Sequence, residues 1–310
     1  MKGLLAYLLR RLLASIVTLL GVIFVLVALI QVLPGNAARV IAGLRATPAQ
    51  VERIREQMGL DKPLPVQYWR FLDNLLHGNM GVSARTGDGV ASDIAARLPY
   101  TLELAIFGTI IGVIAGIILG TIAATHKGKW TDSFVSMVGV AGISMPVYWL
   151  GILLIVLFAV KLKLLPASGA SSLQSLILPS VTLGVFSMAI IARMARSTMI
   201  DELERDYART IRAKGVVERA VVYKHALRNA FVPILTVIGL QFGTLLGGAV
   251  LTETVYSWPG IGRLLITSIN SRDYPMVEGI VFVFAAMFII VNMITDLLYT
   301  VVDPRVRLYD

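Results

Sequence analysis

Six long apolar stretches constrain this chain more than any other feature of its sequence. A helix needs roughly 20 apolar residues to cross the hydrocarbon core of a bilayer. The stretches are 12–33, 100–124, 134–160, 176–192, 231–251 and 279–302. Composition agrees, because 56% of the 310 residues are hydrophobic and 15% are charged, against about a quarter charged in soluble domains. The sequence predicts an all-α integral membrane protein with six transmembrane helices.

Several kinds of chemistry are absent from the sequence. It contains no cysteine, which excludes disulfide scaffolds and thiolate metal sites. Its three histidines show no HExxH spacing, and no GxxxxGK[ST] phosphate loop occurs. We therefore expect no catalytic residue, no metal site and no cofactor in this chain, which is not predicted to be an enzyme.

The distribution of basic residues predicts the orientation. Short loops on one side of the membrane carry sixteen Lys and Arg, and those on the other side carry four. Because basic loops stay in the cytoplasm, both termini are expected there. The first stretch is longer than the apolar part of a signal peptide, so we interpret it as a retained anchor. The net charge of +9 then reflects topology, and no nucleic-acid partner is expected.

Chain order divides the sequence into predicted regions. They are an N-terminal tail with the first membrane helix (1–33), a small helical extracytoplasmic loop (34–99), a five-helix membrane core (100–302) that includes a cytoplasmic loop (193–229), and a cytoplasmic C-terminal tail (303–310).

The extracytoplasmic loop contains helix signals of its own. Thr47 followed by Pro48 is typical of an N-cap and a first helical residue, and Gly59 predicts the end of that helix. The predicted helices of this loop cover 48–59, 65–78 and 90–98. Such a folded cap either shields the membrane bundle or forms a docking surface for an extracytoplasmic partner.

Glycines recur every fourth residue in two of the stretches. They are Gly108, Gly112, Gly116 and Gly120 in the second stretch and Gly239, Gly243 and Gly247 in the fifth. Residues four apart share a helix face, and small residues there allow close helix packing. Each stripe either packs within the bundle or forms a sliding seam between two subunits.

Polar residues in or beside the apolar stretches are candidates for lining a pathway. They are Ser144, Tyr148, Gln241, Glu253, Asn292 and Asp296. Polar groups at membrane depth normally face the bundle or water, and a helix-to-helix hydrogen bond is the alternative for Asn292 and Asp296. Pro146 and Pro179 interrupt the third and fourth stretches and are expected to bend them. No carboxylate pair suggests an ion relay, which disfavours a gradient-driven transporter.

The 193–229 loop is predicted to form two short helices. A charged helix covers 201–214, Gly215 interrupts it, and a second helix covers 216–227. Glycine adopts left-handed backbone angles and so turns the chain. The two helices could fit a groove on another protein, or they could lie on anionic membrane lipid.

The spacing in this loop resembles the coupling motif of binding-protein-dependent ABC importer permeases. That motif reads E-A-A, three residues, G, nine residues and I-x-L-P. Gly215 occupies the glycine position, and His225 to Leu227 occupy I-x-L. Where the sequence departs from the motif, at 209–211 and Arg228, it resembles the subgroup that imports dipeptides, oligopeptides, glutathione or nickel. A-R-T-x-R-A-K-G and K-H-A-L-R-N-A are typical of that subgroup.

The resemblance covers nearly the whole chain. The further matching segments are Leu33-Pro34-Gly35, Leu60-Asp61-Lys62-Pro63, Gly81-Val82-Ser83, Trp258-Pro259-Gly260-Ile261-Gly262-Arg263 and Arg272-Asp273-Tyr274-Pro275. The chain is identified as similar to the first of the two permeases of such a system.

The resemblance implies a membrane complex in a bacterial or archaeal cytoplasmic membrane. Its parts would be a second homologous permease, two ATPase subunits that hold ATP and Mg, and an extracytoplasmic substrate-binding protein. The implied ATPase-coupling residues are Asp206, Tyr207, Ala213, Lys214, Gly215, His225, Ala226, Leu227, Arg228 and Asn229. The implied cargo is a dipeptide or oligopeptide, with nickel or glutathione as alternatives. An ion-gradient-driven transporter is the rival function.

Overall fold

The computed structural model of the chain describes residues 2–32, 37–43, 46–59 and 61–302. Residues 33–35 and Leu60, which belong to two of the matching segments, and the tail 303–310 lie outside the described ranges. Nearly all described residues are helical, and one isolated bridge joins Val82 and Gly89.

The helices are numbered in chain order. They are α1 (Lys2–Val32), α2 (Ala37–Ala42), α3 (Pro48–Met58), α4 (Leu64–Leu76), α5 (Val90–Thr125), α6 (Trp130–Ser144), α7 (Val147–Leu154), α8 (Leu173–Glu204), α9 (Asp206–Ala213), α10 (Glu218–Ala220), α11 (Leu227–Val255), α12 (Ile261–Asn270) and α13 (Tyr274–Val302). Two π-helical segments, Ile155–Lys161 and Val221–Ala226, continue α7 and α10.

Five helices are long and apolar enough to cross a membrane. They contain Arg10–Leu29, Val90–Thr125, Leu173–Glu204, Glu218–Val255 and Tyr274–Leu297. The bent pair of helices Trp130–Ser144 and Val147–Lys161 would be a sixth membrane span if the two are counted together. The predicted all-α membrane architecture is therefore confirmed for the described residues.

The third apolar stretch is interrupted rather than merely bent. α6 ends at Ser144 and α7 begins at Val147, and the two axes differ by 106°. Met145 is extended and Pro146 is the N-cap of α7. Proline lacks the backbone N–H and restricts the preceding residue to extended angles, so the chain stops one helix and starts another.

The described chain divides into two compact units. Among the described residues, unit 1 comprises those between 2 and 100 together with Pro259–Ile289, and unit 2 comprises Thr101–Trp258 and 290–302. Each unit thus combines segments that are distant in sequence.

Helix α3 of unit 1 begins and ends as the sequence predicts. The Gln50 N–H donates to the Thr47 hydroxyl, and the Thr47 N–H donates to the Gln50 side chain, which completes a capping box. Gly59 has φ +70° and closes the helix. Pro48 at the first helical position costs no hydrogen bond.

Helix α4 keeps its predicted position, and several of its apolar side chains are exposed. None of its thirteen residues is buried, and Trp69 and Leu76 are 68% and 85% exposed. It contacts α1 through Tyr68, whose ring meets Phe24 edge-on at 5.7 Å and whose hydroxyl donates to the Leu20 carbonyl. The helix therefore presents apolar side chains that its own unit leaves uncovered.

The predicted helix at 90–98 is not a separate element. It forms the first turns of α5, which continues through Pro99 for 36 residues. Val90 and Ile94 join the core of unit 1 together with Ile261, Met276 and Ile280. The sequence reading separated the two pieces at Pro99, but tertiary packing holds the helix together across it.

A buried carboxylate links two loops of unit 1. The Ser83 hydroxyl donates to Asp273 Oδ2 at 2.5 Å, and the Ala84 N–H donates to Oδ1 at 2.9 Å. Ser83 and Asp273 are 3% and 2% exposed. Both residues lie in segments that the sequence had singled out only by resemblance, and their role here is to join 81–89 to the turn before α13.

Helix α8 is the centre of unit 2. The glycine stripe of α5 lies directly against it, and an added Cβ at Gly112 would lie 2.7 Å from Ser187 Cβ and 3.0 Å from the Gly184 carbonyl oxygen. This stripe therefore packs within the chain, and the alternative of a seam between subunits is wrong for it. The second stripe is divided, because Gly239 meets Thr295 whereas Gly247 faces open space.

Candidate functional site

The predicted charged helix at 201–214 is divided between two helices. Residues 201–204 complete α8, Arg205 is extended, and α9 starts at Asp206. The Arg205 guanidinium lies 3.1 Å from the Glu202 carboxylate. Glu202, Leu203 and Glu204 are strong helix formers and give no stop signal, so the break at Arg205 could not be located from the pattern.

Gly215 makes the predicted left-handed turn. Its φ is +78°, and nothing lies within 4 Å of an added Cβ. Its N–H donates to the Arg212 carbonyl, and the Val216 N–H donates to the Ile211 carbonyl. The glycine is thus required by backbone conformation, not by crowding.

The helix after Gly215 is continuous with the fifth apolar stretch. Glu218–Ala220 is α-helical, Val221–Ala226 is π-helical, and α11 follows without interruption. The prediction of a separate second helix is therefore wrong. No glycine or proline occurs in 218–227, so nothing in the backbone ends the helix before the membrane stretch.

One arginine fastens the glycine turn. Arg212 donates from Nε and Nη2 to both Glu218 oxygens, at 2.9 and 2.7 Å, and from Nη1 to the Leu203 carbonyl at 3.1 Å. Two parallel charge-assisted bonds fix orientation as well as distance. The sequence reading missed this contact, although opposite charges on the two sides of Gly215 were a usable signal.

Tyr207 forms a second attachment within the loop. Its hydroxyl donates to Glu202 Oε2 at 2.8 Å. Burial raises the pKa of Tyr207, and the bond to Glu202 raises it further. A hydrogen bond with the Asn229 side chain lowers this pKa, but the net shift is upward. The hydroxyl therefore remains protonated and available as a donor at neutral pH. Glu202, which is 7% exposed, was also missed by the sequence reading.

The predicted coupling residues differ in exposure. Asp206, Ala213, Lys214, Gly215, Arg228 and Asn229 are exposed, Tyr207, His225 and Leu227 are half-buried, and Ala226 is fully buried. Two apolar side chains beside the turn, Val217 and Tyr223, are 71% and 55% exposed. The turn therefore offers a mixed polar and apolar surface, while Ala226 packs inside unit 2 with Met199 and Ala195.

Two ion pairs connect α8 to α6 and to the turn before α6. Arg196 donates to both Asp132 oxygens, at 2.5 and 2.8 Å, and the Gly128 N–H donates to Oδ2 at 3.0 Å. The Lys127 ammonium lies 2.6 Å from Glu204 Oε1. Asp132 is 5% exposed whereas the Arg196 side chain is 33% exposed, so the pair is only partly shielded from water. From the sequence, Lys127 and Arg196 were counted only among the basic residues that predict the topology.

The predicted pathway residues occupy different environments. Glu253 is fully buried and accepts a bond of 2.6 Å from the Thr101 hydroxyl. Gln241 is 7% exposed, and its amide nitrogen has no hydrogen-bond partner in the part of the chain that is described. Near Glu253, a buried Tyr256 hydroxyl lies 2.8 Å from the Thr182 hydroxyl. Their service as pathway residues stays a prediction.

The remaining pathway candidates lie on three helices. Ser144 and Tyr148 flank the α6–α7 break and are exposed. Asn292 and Asp296 are half-buried one turn apart on α13. Within the described ranges, no group of three or more His, Cys, Asp or Glu side chains could hold a metal ion.

Family comparison covers almost the entire chain. Residues 116–308 match the binding-protein-dependent transport system inner membrane component, and residues 4–105 match the N-terminal domain of such membrane components. The glutathione transport system permease protein GsiC of Escherichia coli strain K12 is 44% identical over 301 residues, covering 97% of this chain and 98% of that protein. GsiC of Salmonella typhimurium strain LT2 gives the same values.

Solved structures of two importers share the fold. A chain of the inward-facing MetNI methionine ABC transporter aligns with a TM-score of 0.58 and 16% identity, covering 68% of this chain and 96% of that chain. A chain of an amino acid ABC transporter crystallised with histidines gives 0.53 and 16%, covering 67% and 93%. At this identity the likeness concerns the fold alone.

Proposed function

The chain belongs to the family of binding-protein-dependent transport system inner membrane components, and we propose that it is the first of two permeases in a peptide importer. It is a permease subunit of an ABC importer that acts together with other subunits of the transporter. The finer parts of the proposal are the cargo, the partner composition and the orientation in the membrane.

The proposed cargo is a small peptide, with glutathione included. The relative GsiC is a permease of a glutathione transport system, and glutathione is itself a modified tripeptide. The proposed partners are a second permease, two ATPases that bind ATP and Mg, and an extracytoplasmic binding protein. Both termini are placed in the cytoplasm because basic loops remain on that side.

The observation that carries the proposal is the fastened turn at Gly215. Arg212 bonds both Glu218 and the last turn of α8. Because of these bonds, a displacement of the exposed turn would also displace α8 and α11. Val217 and Tyr223 provide exposed apolar contact area beside it, and interfaces commonly combine such anchors with a polar rim. We assign this surface to the ATPase contact.

Gly215→Val tests this assignment. A β-branched residue at φ +78° is strained, while the open surroundings exclude a steric clash. We expect weaker association with the ATPase subunits and a loss of ATP-driven uptake in proteoliposomes. Gly87→Val is the matched control, because Gly87 also has φ +78° with nothing within 4 Å but lies on the proposed opposite side. Unchanged association and uptake in Gly215→Val would show that the coupling surface lies elsewhere.

The energy source distinguishes an ATP-driven importer from the rival, a gradient-driven transporter. Proteoliposomes that contain the complex and ATP, but no ion gradient, should take up peptide. Uptake that requires the gradient and ignores ATP would favour a gradient-driven transporter.

A further inference from the structure

Unit 1 contains a cavity of about 680 Å³. Its wall is formed by α4, the segment 79–82 and the first turns of α13. The polar lining residues are Gln67, Arg70, Asp73, Asn74, Asn79, Tyr274 and Glu278. Small-molecule sites typically have about 300–1,000 Å³ and a few convergent polar groups, so the cavity has the dimensions and the lining of a ligand site.

Glu278 is the unusual member of this lining. It lies at the start of the last apolar stretch and is half-buried, yet within the described ranges no hydrogen bond or ion pair involves its carboxylate. Asp273, five residues earlier, shows the contrast, because its carboxylate accepts bonds from Ser83 and Ala84. A partly buried charge without a partner is costly, and ionisable residues beside a membrane stretch commonly mark a ligand path.

The charges around Glu278 favour a cation. Asp73 supplies a second carboxylate, and Arg70 is the one cationic residue of the lining. Arg70 lies against Gly59 and attracts Asp61 only at long range, because the ion pair of Asp61 is with Lys62 at 2.7 Å. The lining therefore contains two carboxyl side chains and one guanidinium, and among the described residues Glu278 has no ion pair. Side-chain amides from α4 and from Asn79 add the donors and acceptors that peptide groups require.

We propose that this cavity binds the amino-terminal ammonium group of a peptide substrate, with Glu278 as its counter-ion. This assignment rests on the proposed peptide import function. An alkylammonium fits better than a metal ion, because in the described part of the chain no three His, Cys, Asp or Glu side chains converge. A lysine ammonium of a binding protein offers the same chemistry from a different source.

Peptide binding to the purified complex tests the proposal without ATP and without the binding protein. The complex is placed in lipid nanodiscs and titrated with trialanine and glutathione and with the N-acetylated form of each. We expect the free-amine forms to bind at least about tenfold more tightly, which is the scale of one charge-assisted hydrogen bond. Glu278→Gln should abolish this preference, and Glu278→Asp should retain part of it.

Asp88→Asn is the matched control. It removes one carboxylate from an exposed position of the same unit that does not line the cavity, so the preference for free amines should remain. If wild-type complex binds neither peptide, binds acetylated forms equally well, or keeps its preference in Glu278→Gln, the proposal is overturned.

A second arm identifies the source of the ammonium. Association of the binding protein is measured with wild-type and Glu278→Gln complexes. In one outcome, Glu278→Gln binds the binding protein more weakly but keeps the preference for free-amine peptides. That outcome would assign the ammonium to a lysine of the binding protein and overturn the peptide assignment. Gly215→Val should keep the preference for free amines, so failure of the coupling proposal and failure of the cavity proposal give different results.

Discussion

Helices α8 and α4 both carry apolar side chains, but they differ in how many of their residues are buried. Fifteen of the 32 residues of α8 are buried, whereas none of the 13 residues of α4 is. α8 is enclosed by other helices of unit 2, while α4 leaves Trp69 and Leu76 exposed. The difference shows that α8 packs inside unit 2 and that α4 leaves apolar side chains open to contact by lipid or by another protein.

The largest effect is expected where α5 meets α8. Gly112→Val would place new atoms within 2.7 Å of Ser187 Cβ and 3.0 Å of a backbone oxygen. Since neither neighbour is the end of a flexible side chain, we expect a loss of about 3 kcal/mol of stability, at the upper end for overpacking. Thermal unfolding of the purified protein measures it. Gly21→Val is the control, because nothing lies within 4 Å of Gly21, and equal losses in both variants would contradict the enclosed role of α8.

A smaller loss is expected from the ion pair that joins α6 to α8. Asp132→Ala leaves the Arg196 guanidinium partly buried without its carboxylate, which should cost about 2 kcal/mol, less than a fully buried pair. Glu204→Ala breaks the exposed pair with Lys127 and should cost less than Asp132→Ala, because water screens exposed ion pairs. Unfolding temperatures of the two variants provide the test, and a reversed order would show that burial does not set the strength of these pairs.

The fastening of the Gly215 turn should have a moderate effect on stability. Arg212→Ala removes two bonds to Glu218 and one to Leu203, and we expect a loss of about 1 kcal/mol. ATP-driven uptake by Arg212→Ala should nevertheless be largely lost, because the turn would no longer move together with α8.

Arg209→Ala is the control for Arg212→Ala. The Arg209 pair with Asp206 is 3.7 Å long and highly exposed, so both stability and uptake should stay near wild type. Uptake that survives Arg212→Ala at the level of Arg209→Ala would remove this contact from the coupling mechanism.

The smallest effect on stability is expected on α4. Trp69→Ala should change the free energy of unfolding by less than about 0.5 kcal/mol, because the side chain is 68% exposed. Stimulation of ATPase activity by the binding protein should nevertheless decrease, and removing residues 50–76 should abolish it. Normal stimulation after the deletion would assign α4 to lipid contact or simple cover instead of docking.

These contrasts also show what the sequence could and could not predict. The apolar stretches, the cap of α3 and the Gly215 turn depend on local rules, and the structure confirms each of them. The continuity of α5 through Pro99 depends on packing, which no local pattern contains. The continuity of the π-helical segment into α11 had a local signal, the absence of glycine and proline from 218–227.

The candidate site was predictable only in part. The exposed turn residues follow from the motif, but Arg212, Glu202 and Asp132 act through partners that folding brings near them. Glu278 lacked any signal, because a single carboxylate at the edge of an apolar stretch resembles an ordinary boundary residue. Its lack of a partner becomes visible only when the surrounding side chains are placed.

The break between α6 and α7 has an electrical consequence. The last carbonyls of α6 and the first N–H groups of α7 have no partner within their own helix, and helix ends carry about half an elementary charge of opposite sign. Met145 and Pro146 thus separate a weakly negative end from a weakly positive one inside an otherwise apolar segment. The segment acquires a local dipole without using any ionisable side chain, and that dipole is insensitive to pH.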